Sequence, residues 1–362
     1  MKDECRQEVE PISRVAADIE RLMSQGEEQT GDKTVTTCPR SRFHESATWC
    51  AQRVAVGLHT FAGRSLGSGF GILGYHRVVD KPPRVESPTI NVTPRQLRDQ
   101  LQGLLARGFE AWSLRRVLEA CRASQAVPSN VFVVTFDDGY ENNLLYALPV
   151  LEELRLPATI FLATSFLDSE GPFPFDNWSY AGSTAVPATS WRPLSTSQCK
   201  ELLEHELIEL GVHTHTHGAF AERVDDFRRD LSISIDVVRE RFGISEPTFS
   251  FPFGLTTPEM AVAARDAGVA CALTTRSERI DPSSDAFQWG RFNASDLDTP
   301  ATLAAKLSGW YTPVNNLLRK IKRPVAAIAP AAIGGLVTLP KPCNAGNRVG
   351  ASANKLPTPI EA

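Results

Sequence analysis

The chain has 362 residues, of which 42% are hydrophobic and 22% are charged, and its formal net charge is −4. This length fits one large globular domain with extensions, and the slight negative charge argues against nucleic acid as the main partner. The first residues, MKDECRQEVEP, lack the basic and apolar regions of a secretory signal. The seven cysteines are odd in number and have no CxxC spacing, so we expect reduced thiols and a cytoplasmic location.

Residues 1–69 are predicted to be an N-terminal extension. A short amphipathic run (Ile12, Val15, Ile19, Leu22) precedes a polar stretch that ends near residue 47. Such a pattern is typical either of a docking helix or of a loosely ordered leader.

Residues 70–310 are predicted to form the main domain, an α/β barrel. Four segments with cap residues and helical periodicity are predicted helices, at 93–108, 113–121, 195–207 and 256–268. Seven apolar segments are typical of buried strands, at 71–77, 130–136, 157–163, 207–212, 247–252, 269–275 and 288–292. Strands that alternate with helices favour a parallel barrel, whose active site lies at the carboxyl ends of the strands.

Two adjacent carboxylates follow the strand predicted at 130–136. Asp137 and Asp138 stand where this strand ends, and Gly139 allows a sharp turn. Consecutive residues of an extended chain point in opposite directions, so one carboxylate could bind a metal while the other handles protons. The alternative is a solvated Asp-Asp-Gly turn.

Three histidines follow the strand predicted at 207–212. His213 and His217 are four residues apart and would share a face if the segment forms a helical turn, whereas His215 should point elsewhere. With the aspartates, they supply the N and O ligands of a catalytic metal site. The alternative is a polar loop or a single core histidine.

These motifs resemble those of the NodB-type polysaccharide deacetylases (carbohydrate esterase family 4), in their exopolysaccharide-type branch. TFDDGY (135–140), HTHTH (213–217) and FSFPFG (249–254) are similar to the first three motifs of that family. The resemblance implies a distorted (β/α)7 barrel in which Asp137 is the catalytic base and Asp138, His213 and His217 hold one divalent metal.

The resemblance also implies a reaction and an oxyanion hole. A metal-activated water would hydrolyse the N-acetyl group of an amino sugar, with Zn²⁺ as the first choice of metal and Co²⁺, Ni²⁺ or Fe²⁺ as alternatives. The backbone N–H of Phe253, next to Pro252, would help to form the oxyanion hole.

Two family residues are absent from this sequence. No histidine follows His217 to act as the usual general acid, and Ser250 replaces the arginine of the third motif. His76 and Arg291 are the candidate replacements, although His76 could be a core histidine and Arg291 a surface ion-pair residue. If neither acts, the metal-bound water or Asp137 would carry the proton.

The connection at 164–194 is too long and too rich in Gly, Pro and Ser for a routine barrel loop. Its aromatic residues could contact sugar rings or pack the loop on the barrel, and we expect packing for most of them. Asp176 and Trp178, followed by Trp289 outside the loop, are predicted to contact substrate.

Residues 311–362 are predicted to be a C-terminal tail. The basic segment RKIKR (319–323) precedes an apolar stretch at 324–340 that is too short to span a membrane. An ordinary tail is the favoured interpretation, and weak peripheral membrane contact is the alternative.

Three functions from different classes fit the sequence. The first is an amino-sugar N-deacetylase that acts on a glycan or a glycan precursor. The second is another amide hydrolase, such as a deformylase or a cyclic-amide hydrolase. The third is a catalytically silent carbohydrate-binding relative, against which the complete set of aspartates and histidines argues.

Overall fold

The computed structural model describes residues 54–57, 69–80, 82–88, 90–312 and 314. Most of the predicted N-terminal extension and of the predicted tail, including the segment assigned to membrane contact, lies outside the described residues. None of the described helices is long and apolar enough to cross a membrane.

A parallel sheet of eight strands forms the centre of the described structure. Its strands are β1 (Gly71–Tyr75), β4 (Glu110–Ala111), β5 (Val131–Phe136), β6 (Ala158–Leu162), β7 (Ile208–Val212), β8 (Phe249–Ser250), β9 (Ala272–Leu273) and β10 (Phe292–Asn293). Their order is β10-β1-β5-β6-β7-β8-β9, and β4 lies off this path and pairs with the start of β5, at Val131 and Phe132. A separate parallel pair joins β2 (Arg77–Val78) to β3 (Asn91–Val92).

The sheet curls so that its two ends approach each other. The Thr274 N–H donates to the Trp289 carbonyl over 2.7 Å, and Leu273 forms a parallel bridge with Trp289, three residues before β10. Each of the seven strands on the main path overlaps one predicted segment, although β10 (Phe292–Asn293) shares only residue 292 with the segment predicted at 288–292. The predicted distorted (β/α)7 barrel is therefore confirmed.

Helices cover the outside of the sheet. They are α1 (Pro94–Ala106), α2 (Leu114–Arg122), α3 (Leu148–Leu154), α4 (Thr196–Leu203), α5 (Val224–Phe242), α6 (Pro258–Asp266) and α7 (Pro300–Leu307). The side chains of Thr93, Ser113, Ser195 and Thr257 cap α1, α2, α4 and α6, which confirms the four helices predicted from cap signals. Helices α3, α5 and α7 were not among those predictions.

Alternation along the strands separates two buried layers. In β5, Phe132, Val134 and Phe136 pack in the cluster that includes side chains of α1, α3 and α7, whereas Val131 and Val133 pack in a second cluster with Phe161 and Trp289. Because successive side chains point to opposite faces, Thr135 and Asp137 continue the face of Val131 and Val133. Strand periodicity thus directs Asp137 toward the inside of the barrel.

The described cysteines Cys121, Cys199 and Cys271 are free thiols, and burial raises the pKa of both Cys199 and Cys271 to about 12. Buried thiols occur in any compartment, so the cytoplasmic location stays a prediction.

Gly211 in β7 is required by the packing inside the barrel. A Cβ atom there would lie 2.6 Å from Cδ1 of Phe161 and 2.7 Å from the Thr248 carbonyl oxygen. We expect Gly211→Ala to lower the free energy of unfolding by about 1–3 kcal/mol, because neither the strand backbone nor the buried ring can move freely. Gly171→Ala is the control, since a Cβ there meets nothing within 4 Å. Equal denaturant midpoints for the two variants would contradict this interpretation.

Candidate metal and catalytic site

A cavity of about 360 Å³ opens at the carboxyl ends of the strands. Seven of the residues predicted for the site line it: His76, Asp137, Asp138, Asp176, His213, His217 and Phe253. The barrel therefore brings together residues that are far apart in the sequence, since His76 and Phe253 are separated by 177 positions.

A buried ion pair joins Asp137 to Arg291. The two terminal nitrogens of Arg291 donate to Oδ1 and Oδ2 of Asp137 over 2.8 and 2.6 Å. Arg291 also donates to Oγ of Ser250 over 2.8 Å, so it contacts the serine that stands in the third motif. Arg291 is fully buried, which excludes the surface ion-pair alternative.

This pair keeps Asp137 ionised. Burial alone would raise the pKa of Asp137, but the Arg291 guanidinium beside it, followed by His213, holds that pKa well below its ordinary value. The carboxylate is therefore available as a proton acceptor at neutral pH.

Asp138, His213 and His217 form a cluster in which three potential metal-ligand atoms lie within 4.8 Å of one another. Oδ1 of Asp138 is 3.5 Å from Nε2 of His213 and 3.3 Å from Nε2 of His217. Two imidazole nitrogens and one carboxylate oxygen are a donor set typical of catalytic zinc. The residues present thus fit a divalent metal.

His213 is oriented for metal binding by its other ring nitrogen. Its Nδ1 lies 2.8 Å from the Ser250 carbonyl oxygen, which assigns the proton to Nδ1 and leaves the lone pair of Nε2 facing Asp138. Burial lowers the pKa of His213 to about 4, so the ring is neutral at physiological pH, as metal binding requires.

Strained backbone shapes this site. Asp138, Thr214, His217 and Phe253 have φ values of 73°, 63°, 55° and 58°, in the left-handed region that non-glycine residues rarely adopt. Such residues cost on the order of 1–3 kcal/mol each and persist where the surroundings hold them. Strand alternation alone would point the Asp138 side chain away from that of Asp137. Both side chains nevertheless line the same cavity, and the Asp138 backbone departs from strand geometry through its positive φ.

The segment after β7 is a bend and not the helical turn that the histidine spacing predicted. The positive φ values of Thr214 and His217 interrupt helical geometry, yet the bend still brings His213 and His217 together. His215 points elsewhere, as predicted: its Nδ1 lies 3.0 Å from the Thr164 hydroxyl.

His76 faces the ion pair across the cavity. Its Nε2 lies 3.9 Å from Oδ2 of Asp137, and its side chain is 18% exposed, so the ring is close to the carboxylate and reachable from solvent. This position is compatible with the predicted role as an acid, which stays a prediction.

Aromatic rings hold His217 from two sides. The Phe175 ring stacks on the imidazole at 3.7 Å between centroids, and the Phe253 ring meets it edge-on at 4.7 Å. Phe253 is 56% exposed at the cavity rim, whereas Pro252 is buried and does not line the cavity. Pro252, which was named beside Phe253 for the oxyanion hole, is therefore not part of the cavity lining.

Two tryptophans predicted to contact substrate are buried elsewhere. Trp289 is 1% exposed and packs edge-on against Phe70 inside the barrel. Trp178 is 6% exposed, packs with Val85 and Trp191, and its indole N–H donates to the Glu86 carbonyl. The structure therefore does not bring these two predicted residues to the cavity, because their rings fill gaps in the fold.

Asp176 does line the cavity, together with residues that the sequence analysis did not select. Arg77 is 2% exposed, pairs with Asp176 and donates to the Tyr140 hydroxyl over 3.0 Å. Arg77 directly follows His76, and Tyr140 lies inside the motif TFDDGY, so proximity to His76 and Asp138 was an available signal. Phe175 also lines the cavity, but nothing in the sequence distinguishes it from the other aromatic residues of its loop.

Comparison with known proteins finds similarity to polysaccharide deacetylases. Residues 124–272 match the family model described as polysaccharide deacetylase. The chain is 23% identical over 257 residues to poly-β-1,6-N-acetyl-D-glucosamine N-deacetylase of Staphylococcus epidermidis, covering 66% of this chain and 83% of the relative. It is 27% identical over 150 residues to the Escherichia coli protein of the same name, but this match spans 41% of this chain and only 21% of that relative.

Solved structures show the same fold. IcaB from Ammonifex degensii superposes with a TM-score of 0.57 at 23% identity, covering 68% of this chain and all of that one. The Streptococcus pyogenes deacetylase PplD, solved with acetate, superposes with a TM-score of 0.56 at 18% identity, covering 67% of this chain and 99% of that one. The three sequence motifs, the barrel and the family model matched at residues 124–272 agree in making this chain similar to the polysaccharide deacetylases.

Proposed function

We propose that this protein is a metal-dependent hydrolase that removes N-acetyl groups from an amino-sugar polysaccharide or its precursor. The observation that carries the proposal is the placement of the Asp137–Arg291 pair beside the ligand cluster of Asp138, His213 and His217, in one cavity. The names of the similar proteins support poly-β-1,6-N-acetylglucosamine as the substrate class.

Asp138, His213 and His217 are the residues proposed to hold one divalent metal. Zn²⁺ is the first choice, because the donor set is two imidazoles and one carboxylate. When bound, such an ion lowers the pKa of a coordinated water toward neutrality and polarises the amide carbonyl.

Asp137 and His76 are proposed to divide the proton transfers. Asp137 is ionised and both its oxygens are oriented by Arg291, so it can accept a proton from the attacking water. His76, 3.9 Å from Asp137, is placed to donate a proton to the departing amine. The proposal thus assigns the base and acid roles to two neighbouring groups that line the same cavity.

Phe253 is proposed to contribute its backbone N–H to the developing oxyanion. Support comes from its position at the cavity rim, where its positive φ turns the chain beside His217. Fixed backbone donors are an effective way to stabilise tetrahedral intermediates.

Sugar recognition is proposed to involve Asp176 and the exposed ring of Phe253. The cavity volume lies within the range of small-molecule sites, and it combines these polar and apolar surfaces. Other amide hydrolases could share the same chemistry, so the identity of the released acid is the decisive observation.

The primary experiment measures acetate released from β-1,6-linked N-acetylglucosamine oligomers by the full chain. We expect release that a chelator abolishes and added Zn²⁺ or Co²⁺ restores. His217→Ala should lose both bound metal and release, whereas His215→Ala should keep both, because His215 faces Thr164. Bound metal without acetate release would contradict the deacetylase proposal and favour another amide substrate.

Arg291→Lys tests the orientation of Asp137. A lysine cannot reproduce the paired hydrogen bonds, so we expect kcat to fall by roughly 10²-fold while metal content is unchanged. Arg192→Lys is the matched control, because Arg192 makes a similar two-point pair with Glu141 that does not line the main cavity. The same kcat loss in both variants would indicate a general effect on folding.

His76→Ala tests the proposed acid. We expect kcat to fall by roughly 10²–10⁴-fold with unchanged metal content, since proton donation to the amine is lost. His205→Ala provides the comparison, because His205 pairs with Glu152 on the surface. Unchanged kinetics in His76→Ala would remove this residue from the mechanism.

A further inference from the structure

We propose that Asp230 is a positioning residue for the metal site, which it serves by fixing the loop Thr214–His217. The inference rests on the proposed metal-binding role of Asp138, His213 and His217. Asp230 lies on α5, is 8% exposed and does not line the cavity, so it acts through the loop and not on substrate.

The Asp230 carboxylate accepts hydrogen bonds from three donor groups of this loop. The His215 N–H donates to Oδ1 over 2.6 Å, and the Thr216 N–H lies 3.2 Å from each oxygen. The Thr216 hydroxyl donates to Oδ2 over 2.6 Å. A buried carboxylate thus connects the helix to two consecutive backbone N–H groups between the metal-ligand histidines.

Other polar groups of the loop bond to residues outside α5. The carbonyls of Thr214 and His215 accept from the N–H groups of Thr164 and Ser165 over 3.2 and 2.9 Å. The His217 N–H donates to the Thr214 hydroxyl over 3.1 Å. Without Asp230, the N–H groups of His215 and Thr216 would lose the charged acceptor that they have in this structure, and the loop would lose its connection to α5.

His217 is the ligand that depends most on this support. The ring of His213 is fixed by the Ser250 carbonyl, whereas Nδ1 of His217 is buried and makes no hydrogen bond with the described residues. The position of the His217 ring therefore follows from its backbone, with positive φ, and from packing between Phe175 and Phe253. A shift of the loop would move Nε2 of His217 away from Asp138.

Two carboxylate oxygens hold this loop better than the side-chain amide of an asparagine would. The two backbone N–H groups that face Asp230 can only donate, and an asparagine would offer them one oxygen in place of two and would direct its own N–H₂ group at Thr216. Asp230→Asn is therefore a nearly isosteric change that should disturb the loop without removing side-chain volume.

The test measures metal affinity directly. The full chain is stripped of metal and titrated with Zn²⁺ and with Co²⁺ against a chromophoric chelator, and we expect 10–100-fold weaker binding for Asp230→Asn. At saturating metal, kcat should return toward that of the unchanged protein. Asp236→Asn is the matched control, because Asp236 lies on the same helix, is exposed and pairs with Arg239. Its metal affinity should not change.

If the metal affinity of Asp230→Asn lies within twofold of the metal affinity of the unchanged protein, the proposal is overturned. If that variant does not fold in the absence of metal, Thr216→Val decides, since it removes one of the hydrogen bonds to Asp230 and keeps the carboxylate. A several-fold loss of affinity in Thr216→Val supports the proposal, and no loss overturns it. Metal affinity is measured without substrate, so a failure of the deacetylase proposal would be seen separately, as bound metal without acetate release.

Discussion

The buried ion pair between Asp137 and Arg291 is the interaction around which the site is organised. A carboxylate that is 2% exposed needs a compensating charge, and a fully buried guanidinium provides it with two hydrogen bonds. Arg291 comes from the segment that joins β9 to β10, and Asp137 comes from the end of β5. The pair therefore connects the two strands that flank β1 and places a fixed anion beside the cluster of Asp138, His213 and His217.

The strained residues around this pair show how the fold holds its reactive groups in place. Positive φ values occur at Asp138, Thr214, His217 and Phe253, each at a strand end or in the loop that follows it. Their cost is offset by hydrogen bonds and packing from neighbouring elements, including α5 and the connection at 164–194. The rim of the barrel can thus keep uncommon backbone geometry, because the sheet below it is regular and buried on both faces.

Sequence reasoning succeeded where local pattern and chemistry coincide. The strand before Asp137 has clear periodicity, and cap residues such as Thr93 and Ser195 mark helix starts by a local hydrogen bond. It failed where three-dimensional packing decides exposure. Trp178 and Trp289 have suitable chemistry for sugar contact, but their rings fill interior gaps. Phe175 stacks directly on the His217 ring and on Phe173, and residue spacing does not reveal these contacts.

The sequence by itself determined the strand order along the chain, the residues able to hold a metal, and the absence of the usual arginine and carboxyl-terminal histidine. Those features depend on residue types and on short-range periodicity. Tertiary structure alone decided that Arg291 reaches Asp137 from 154 positions away, that Asp138 shares its cavity, and that Asp230 supports the histidine loop. These contacts depend on how the parallel strands curl and on where the backbone adopts positive φ, and neither can be read from neighbouring residues.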